Sequence, residues 1–338
     1  MPASLSMPDN QPEPFAGAAS SRPIRSLATW LNRLAVLVLA GWTSALAAQP
    51  AVVVSIKPLH SLVAAVMLDI GEPMLLLDGG SSPHGFVLKP SQARAISRAD
   101  LVVWVGPGLE SPLTKALATL GRDARSLPVI ELPALHRLPV RDTGAFANDG
   151  HDPDHDHRHD AASGAPNIDT HLWLDPHNAR IIAAALVEAL VAIDPVHAAR
   201  YQHNGSVLDA QLVALDHDLA KALASVRQVP FLLFHDAFQY FEHRYLLAAI
   251  GTIAVDPERA PGARRIQQMR ARVARTGAQC VFAEPQFPAA MTRLVTEGGN
   301  VRAGMLDPLG SKLPAGPAQY PAMMRALADS LLDCLRAR

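Results

Sequence analysis

The sequence has little cysteine, little aromatic content and almost no net charge. Its 338 residues include only 2 Cys, 5% aromatic residues and a formal net charge of −1. Two thiolates cannot form a four-thiolate zinc site, and a charge near zero provides no basic field for nucleic acid. Charged residues make up only 18% while hydrophobic residues make up 49%, which excludes a disordered chain. We therefore expect a folded protein with no nucleic-acid partner.

Histidine, in contrast, is abundant. The chain carries 14 His against its 2 Cys, so any metal chemistry must use imidazole and carboxylate ligands. The length is sufficient for about two domains of roughly 150 residues each.

The N-terminal 48 residues have the pattern of a secretory signal. Arg22, Arg25 and Arg33 precede an apolar run over 34–42, and Ala-Leu-Ala at 45–47 fits an A-x-A cleavage site. The run is shorter than the ~18–20 apolar residues of a membrane-spanning helix. We predict a signal peptide over 1–48 and export to the periplasm, with an uncleaved anchor as the alternative.

Export changes the interpretation of the two cysteines. Cys280 and Cys334 form an even pair in an oxidising compartment, which favours one disulfide over two buried free thiols. Such a bond would tie the C-terminal helix to a strand.

Short β-branched runs alternate with helical patterns along the remaining chain. This alternation predicts βαβ units and mostly parallel sheets, hence an α/β fold. In the N-terminal lobe, 49–194, the predicted strands are 52–56, 74–77, 101–105 and 129–132. A long helical pattern over 195–225 predicts a helix that links two lobes. The second α/β lobe then occupies 226–338, with strands over 230–235, 248–254 and 279–284.

Residues 141–169 interrupt the first lobe without helical or strand periodicity. The segment is rich in His and Asp and carries four clustered histidines: His151, His155, His157 and His159. Imidazole binds zinc, copper or nickel, so we predict a flexible auxiliary metal loop with exchangeable binding. The alternative is a solvated polar loop without function.

Three other histidines are dispersed, and each lies where a predicted strand or turn ends. They are His84, His171 and His235. Ligands of open α/β sheets bind at the carboxyl ends of strands, so these side chains are candidates for one site in a cleft between the lobes. Their spacing matches no short zinc motif, and each histidine taken alone fits an ordinary polar residue better than a metal ligand.

Several segments resemble, in order along the chain, the zinc-uptake periplasmic solute-binding proteins of ABC transporters. The first is SPHGFVLKPSQ at 82–92, followed by ADLVVWVG at 99–106. The others are HLWLDP at 171–176, FHDAFQYF at 234–241, FAEPQF at 282–287 and LDPLG at 306–310. The resemblance covers essentially the whole mature chain, including the His/Asp-rich loop.

The resemblance implies two α/β lobes joined by a long rigid helix, with Zn²⁺ bound in the cleft between them. The family's ligand histidines correspond to His84, His171 and His235. Some members carry Glu immediately before the first His, where this chain has Pro83. The resemblance therefore leaves the fourth ligand as Asp307 or a water. It also aligns Cys280 and Cys334 with a disulfide pair.

Other residues near the ligand segments have two open interpretations. His60 is either a further ligand candidate or a helix-face histidine with a local hydrogen bond. Asp175, Asp236 and Glu284 either orient imidazoles or cap helices and pair with arginine.

The resemblance implies a monomeric carrier rather than an enzyme. It would capture zinc and deliver it to an inner-membrane ABC permease. Three imidazoles favour zinc over manganese, which prefers more carboxylate, but leave copper and nickel open. The alternatives are an exported zinc metallohydrolase with a three-His site, and a manganese carrier, other metal carrier or adhesin of the same fold.

Overall fold

The structure is a computed structural model that describes residues 49–141, 168–254, 257–297 and 301–336, together with Gln11. The predicted signal peptide, apart from Gln11, lies outside the described residues. So do the four clustered histidines His151, His155, His157 and His159.

The N-terminal lobe is built on a four-stranded parallel sheet with the order β2-β1-β3-β4. Its central strands, β1 (Val52–Ile56) and β3 (Leu101–Trp104), are buried along their whole length, as expected of apolar runs covered on both faces. The edge strands are β2 (Met74–Leu77) and β4 (Arg125–Pro128).

The prediction of a strand over 129–132 is wrong. The fourth strand is β4, and Val129–Glu131 forms a 3₁₀ turn directly after it. The sequence signal was misplaced because Arg125 and Ser126 are exposed at the sheet edge, whereas Val129 is buried in the core.

Four helices accompany this sheet: α1 (Lys57–Val66), α2 (Pro90–Ile96), α3 (Ser111–Leu120) and α4 (Pro176–Ile193). Each has proline in its first turn, where the missing N–H has no helical partner to lose. Helix α4 is long and apolar enough to cross a membrane by composition, but Ile182, Leu186 and Leu190 are fully buried against the core. It is therefore a core helix of its lobe.

Helix α5 (Ala198–Leu223) connects the lobes and is extended by 3₁₀ turns at Pro195–His197 and Ala224–Val226. Its 26 residues span about 39 Å at 1.5 Å per residue. Leucines at helical spacing, from Leu208 to Leu223, are buried on one face and fix the helix against the core.

The C-terminal lobe repeats the strand order of the first. Its parallel sheet runs β6-β5-β7-β8, formed by β5 (Phe231–Leu233), β6 (Ala249–Thr252), β7 (Cys280–Ala283) and β8 (Arg302–Met305). Its helices are α6 (Gln239–Tyr245), α7 (Ala263–Thr276), α8 (Ala289–Thr296) and α9 (Gln319–Leu335). The predicted architecture, two α/β lobes with parallel sheets and a long connecting helix, is confirmed.

The two cysteines form a disulfide, as predicted. Cys280 is the first residue of β7 and Cys334 lies in the last turn of α9. Both are buried, and the bond therefore fastens the C-terminal helix to the sheet of its own lobe.

Polar contacts also connect the two lobes. The buried Lys57 donates to the carbonyl oxygens of Ser311 (2.7 Å) and Leu313 (2.8 Å). Ser61 in α1 accepts from the backbone N–H of Tyr320 at the start of α9, at 2.9 Å. Because Lys57 and Ser61 belong to the first lobe, these bonds hold the C-terminal segment against it.

Candidate metal centre

The three dispersed histidines come together from three different elements. His84 lies in the irregular segment 78–89 that follows β2, His171 directly precedes the 3₁₀ turn Leu172–Leu174, and His235 follows β5. One ring nitrogen of each lies within 4.8 Å of the other two. His84 and His171 come from the first lobe and His235 from the second, so the group lies in the cleft between the lobes.

The topology of the second sheet explains the position of His235. Strands β5 and β7 are neighbours, and the chain leaves them towards opposite sides of the sheet, which opens a crevice at their carboxyl ends. His235 follows β5 and Glu284 follows β7, so both side chains enter this crevice. His235 Nδ1 lies 2.6 Å from Glu284 Oε1.

His171 has an equivalent partner two residues earlier. Its Nδ1 lies 2.8 Å from Asp169 Oδ1, and the same oxygen accepts the backbone N–H of His171 at 2.9 Å. A carboxylate at Nδ1 keeps the proton of a neutral imidazole there and leaves the Nε2 lone pair free for a metal. The Nε2 atoms of His171 and His235 face each other at 3.4 Å. Two lone pairs in this position repel unless a cation lies between them.

His84 completes the group from the other side. Its Nε2 is buried and has no hydrogen-bond partner among the described residues. Burial, with further contributions from His171 and His235, lowers the pKa of His84 to about 3. The imidazole is therefore neutral across the physiological range, as metal binding requires.

The segment that carries His84 is held to the second lobe at Gly79. Its carbonyl accepts a hydrogen bond from Gln286 Nε2 at 3.0 Å. Gly79 has φ +85°, and a Cβ there would lie 3.2 Å from the Cα of Ser311. Glycine thus allows both the left-handed backbone and the close approach of the two lobes.

The charge environment of His235 differs from that of His84. Burial lowers the pKa of His235, but the Glu284 carboxylate, aided by Asp236 and Asp169, outweighs burial and raises it. Protons therefore compete with a metal more strongly at His235 than at His84.

Two candidate ligands from the sequence lie outside the three-histidine group. The carboxylate of Asp307 accepts hydrogen bonds from Gln286 Nε2 (2.9 Å), Leu309 N (3.1 Å) and both the N–H and hydroxyl of Ser311 (2.6 Å each). His60 Nε2 lies 2.9 Å from the carbonyl oxygen of Pro73. This is the local hydrogen bond expected if His60 is a helix-face histidine rather than a ligand.

The three carboxylates near the ligand segments divide between their two interpretations. Glu284 orients His235, as described. Asp175 caps α4 by accepting from His177 N at 2.9 Å, and Asp236 pairs with Arg141. Sequence reasoning missed the role of Asp169, although an aspartate two residues before a candidate ligand can form an Asx-type turn and reach its ring.

Two parallel-sheet lobes on one long helix, with buried imidazoles between them, define a metal-binding solute-binding protein. The chain belongs to the family described as zinc-uptake complex component A, periplasmic, whose model matches residues 52–334. The family is a periplasmic transport component, in agreement with the predicted export.

Known proteins show the same relationship. The chain is 43% identical over 310 residues to the high-affinity zinc uptake system protein ZnuA of Brucella abortus (strain 2308), covering 84% of this chain and 91% of that protein. It is 34% identical over 300 residues to the protein of the same name from Yersinia pestis, covering 86% and 92%. In fold it is similar to the periplasmic zinc binding protein TroA from Treponema pallidum, with a TM-score of 0.71 at 20% identity, covering 86% and 100%.

Proposed function

We propose that this protein captures Zn²⁺ in the periplasm through His84, His171 and His235 and delivers it to the inner-membrane permease of a zinc-uptake ABC transporter. The observation that carries this proposal is the convergence of three imidazole nitrogens within 4.8 Å, two of them oriented by buried carboxylates. All three ligands come from one chain, which supports action as a monomer.

The donor set supports zinc as the cargo. Zinc favours tetrahedral sites with imidazole nitrogens at ~2.0–2.1 Å, whereas manganese favours sites richer in carboxylate. The three grouped side chains are all imidazoles. The two carboxylates that touch them bind the Nδ1 atoms and thereby stabilise the ligands without replacing them.

The fourth position remains a prediction, Asp307 or a water. As a ligand, Asp307 would have to give up hydrogen bonds that it accepts from its own loop. Asp307→Asn and Ser311→Ala separate the two possibilities. If Asp307 binds zinc, Asp307→Asn weakens binding far more than Ser311→Ala; if water binds, the two changes have similarly small effects.

A zinc hydrolase would use the same three imidazoles with a general base beside the open position. The two carboxylates considered for that role are engaged elsewhere, because Glu284 binds His235 Nδ1 and Asp236 pairs with Arg141. Both contacts favour carriage over catalysis.

The direct test is metal analysis of the purified mature protein together with the single variants His84→Ala, His171→Ala and His235→Ala. We expect one tightly bound zinc in the wild type. Removal of a residue that only orients a ligand lowers metal affinity by about 10–100-fold, and each ligand variant should lower it by more than this. His217→Ala is the matched control, since its side chain on α5 is 80% exposed. Full-affinity binding in the three cleft variants would show that the site is assigned to the wrong residues.

We further propose that His151, His155, His157 and His159 collect zinc for the cleft. Deletion of residues 148–162 is expected to lower zinc stoichiometry and slow transfer while the cleft site remains intact. Unchanged stoichiometry and transfer rate would contradict this role.

A further inference from the structure

Outside the cleft, a pair of imidazoles lies on the surface where the two lobes meet. His136 belongs to the first lobe and His243 to α6 of the second, and their ring centroids are 4.9 Å apart at 48°. We propose that these residues, with Asp175 behind them, form a second and weaker Zn²⁺ site, here called the seam site. It shares no ligand with the cleft.

The backbone of His136 is fixed from both sides by one buried side chain. Asn178 Oδ1 accepts the N–H of His136 at 2.9 Å, and Asn178 Nδ2 donates to its carbonyl oxygen at 2.9 Å. Asn178 is fully buried in α4. His136 is therefore held rigidly at the seam although its side chain is 38% exposed.

Asp175 faces Nδ1 of His136 as the cleft carboxylates face their histidines, but at ion-pair distance rather than hydrogen-bond distance. Its Oδ2 lies 3.6 Å from His136 Nδ1, and its side chain is only 4% exposed. Asp169 and Glu284 face the same ring atom of His171 and His235. Asp175 makes no hydrogen bond at this distance, but its buried negative charge favours a cation bound beside the His136 ring.

One cation lies close to this carboxylate. Arg244 approaches Asp175 at 3.8 Å, but its guanidinium pairs through both Nε and Nη2 with Asp216. The charge of Arg244 is thus largely balanced by Asp216, and Asp175 remains available to stabilise a cation bound at His136.

The seam site adjoins the polypeptide that leads to the cleft. Tyr240 is one turn before His243 in α6, and its ring lies 6.3 Å from that of His136. The Tyr240 hydroxyl accepts from Leu138 N at 3.1 Å and donates to the carbonyl oxygen of Asp169 at 2.9 Å. Asp169 in turn orients His171, so zinc at the seam would lie beside the chain segment that positions a cleft ligand.

The donor set predicts the relative strength of the two sites. Two imidazoles and one outer carboxylate leave the remaining positions to water, whereas the cleft supplies three imidazoles, two of them buried. The seam site should therefore fill only after the cleft is saturated, and exchange faster.

The test measures each histidine separately. Wild-type mature protein is modified with diethyl pyrocarbonate at increasing ZnCl₂, and the modification of each histidine is read by mass spectrometry. We expect His136 and His243 to lose reactivity together beyond the first zinc equivalent, while the exposed His217 keeps reacting. Equal reactivity of His136 and His243 with and without saturating zinc would overturn the proposal.

Two variants distinguish zinc binding from shielding by protein. In His136→Gln, His243 should no longer be protected by zinc, and in His243→Gln the same should hold for His136. Protection that survives the partner's removal would overturn the shared site. In His84→Ala, protection at the seam should persist, so failure of the cleft assignment and failure of the seam site give different results.

Discussion

The carboxylate beside His235 provides a sharp test of the proposal that the cleft histidines bind zinc. Replacing Glu284 by Gln keeps an oxygen that can accept from Nδ1 but removes the negative charge. In the native protein Glu284 Oε1 receives both Nδ1 (2.6 Å) and the backbone N–H (3.3 Å) of His235. Its Oε2 is buried without a hydrogen-bond partner among the described residues, so the charge acts mainly on His235.

The expected magnitude follows from this geometry. Loss of an outer-shell partner lowers metal affinity by about 10–100-fold, or about 1.4–2.7 kcal/mol. Because Gln retains an oxygen that can accept from Nδ1, Glu284→Gln should lower the zinc affinity by about tenfold. Glu284→Ala also leaves the ring of His235 without a partner and should lower the affinity by about one hundredfold. Asp169→Asn should resemble Glu284→Gln, because Asp169 makes the same pair of contacts with His171.

The pH dependence gives a second signature. Glu284 raises the pKa of His235, so at acid pH the wild type must lose a proton from this ring before binding zinc. Glu284→Gln lowers that pKa and weakens proton competition. Its affinity deficit should therefore be largest near pH 8 and shrink as the pH falls through the titration of His235.

The assay is competition with a chromophoric zinc chelator at several pH values. Asp236→Asn is the matched control, since it removes an equal charge one residue from His235 but pairs with Arg141 rather than an imidazole. We expect it to change affinity much less than Glu284→Gln. Affinities of wild type and Glu284→Gln within twofold at every pH would refute the role given to the carboxylate.

Three further predictions concern stability, measured by urea unfolding. The disulfide closes a loop with a sequence separation of 54, so replacing Cys280 and Cys334 by Ala should lower the unfolding free energy by roughly 4 kcal/mol; a loss below about 1 kcal/mol would contradict this. Burial raises the pKa of Glu110 to about 7. Between about pH 4.5 and 7 the folded state then binds one proton more than the unfolded state, so the unfolding free energy should fall by about 3 kcal/mol as the pH rises across that window. Glu110→Gln should abolish this pH dependence, and an unchanged pH dependence in the variant would contradict the role given to Glu110. Lys57→Met should lower the unfolding free energy by about 1.5–3 kcal/mol, because it removes two hydrogen bonds made by a buried charged group. Lys115→Met, at an exposed position of α3, is the control, and an equal effect of both changes would refute the role of Lys57 in holding the lobes together.

The central strands could be predicted from the sequence because a strand that is buried on both faces consists of a continuous apolar run. The runs at 52–56 and 101–105 coincide with β1 and β3 within a residue. The sequence misplaced β4 and did not identify β8, whose residues Arg302 and Ala303 are exposed at the edge of the second sheet. These two edge strands bury too little side-chain surface to leave an apolar signature, whereas the edge strands β2 and β6 carry apolar runs that the sequence analysis identified.

The site was predicted in part. The dispersed His84, His171 and His235 were selected by their positions at strand ends and by resemblance, but only the fold shows that they meet. The seam pair was not identified, because His136 and His243 are brought together by lobe packing that no local pattern records. The interlobe bonds of Lys57 depend on the same long-range packing.

The three imidazoles are not equally restrained, and this has a kinetic consequence. His171 and His235 are buried and tethered through Nδ1, whereas His84 is only half-buried on an irregular segment. A tridentate complex dissociates one bond at a time, beginning with the ligand that moves most easily. Zinc release should therefore begin with detachment of His84. A change that loosens its segment, such as breaking the contact at Gly79, would shorten the residence time of the ion with little effect on its rate of capture.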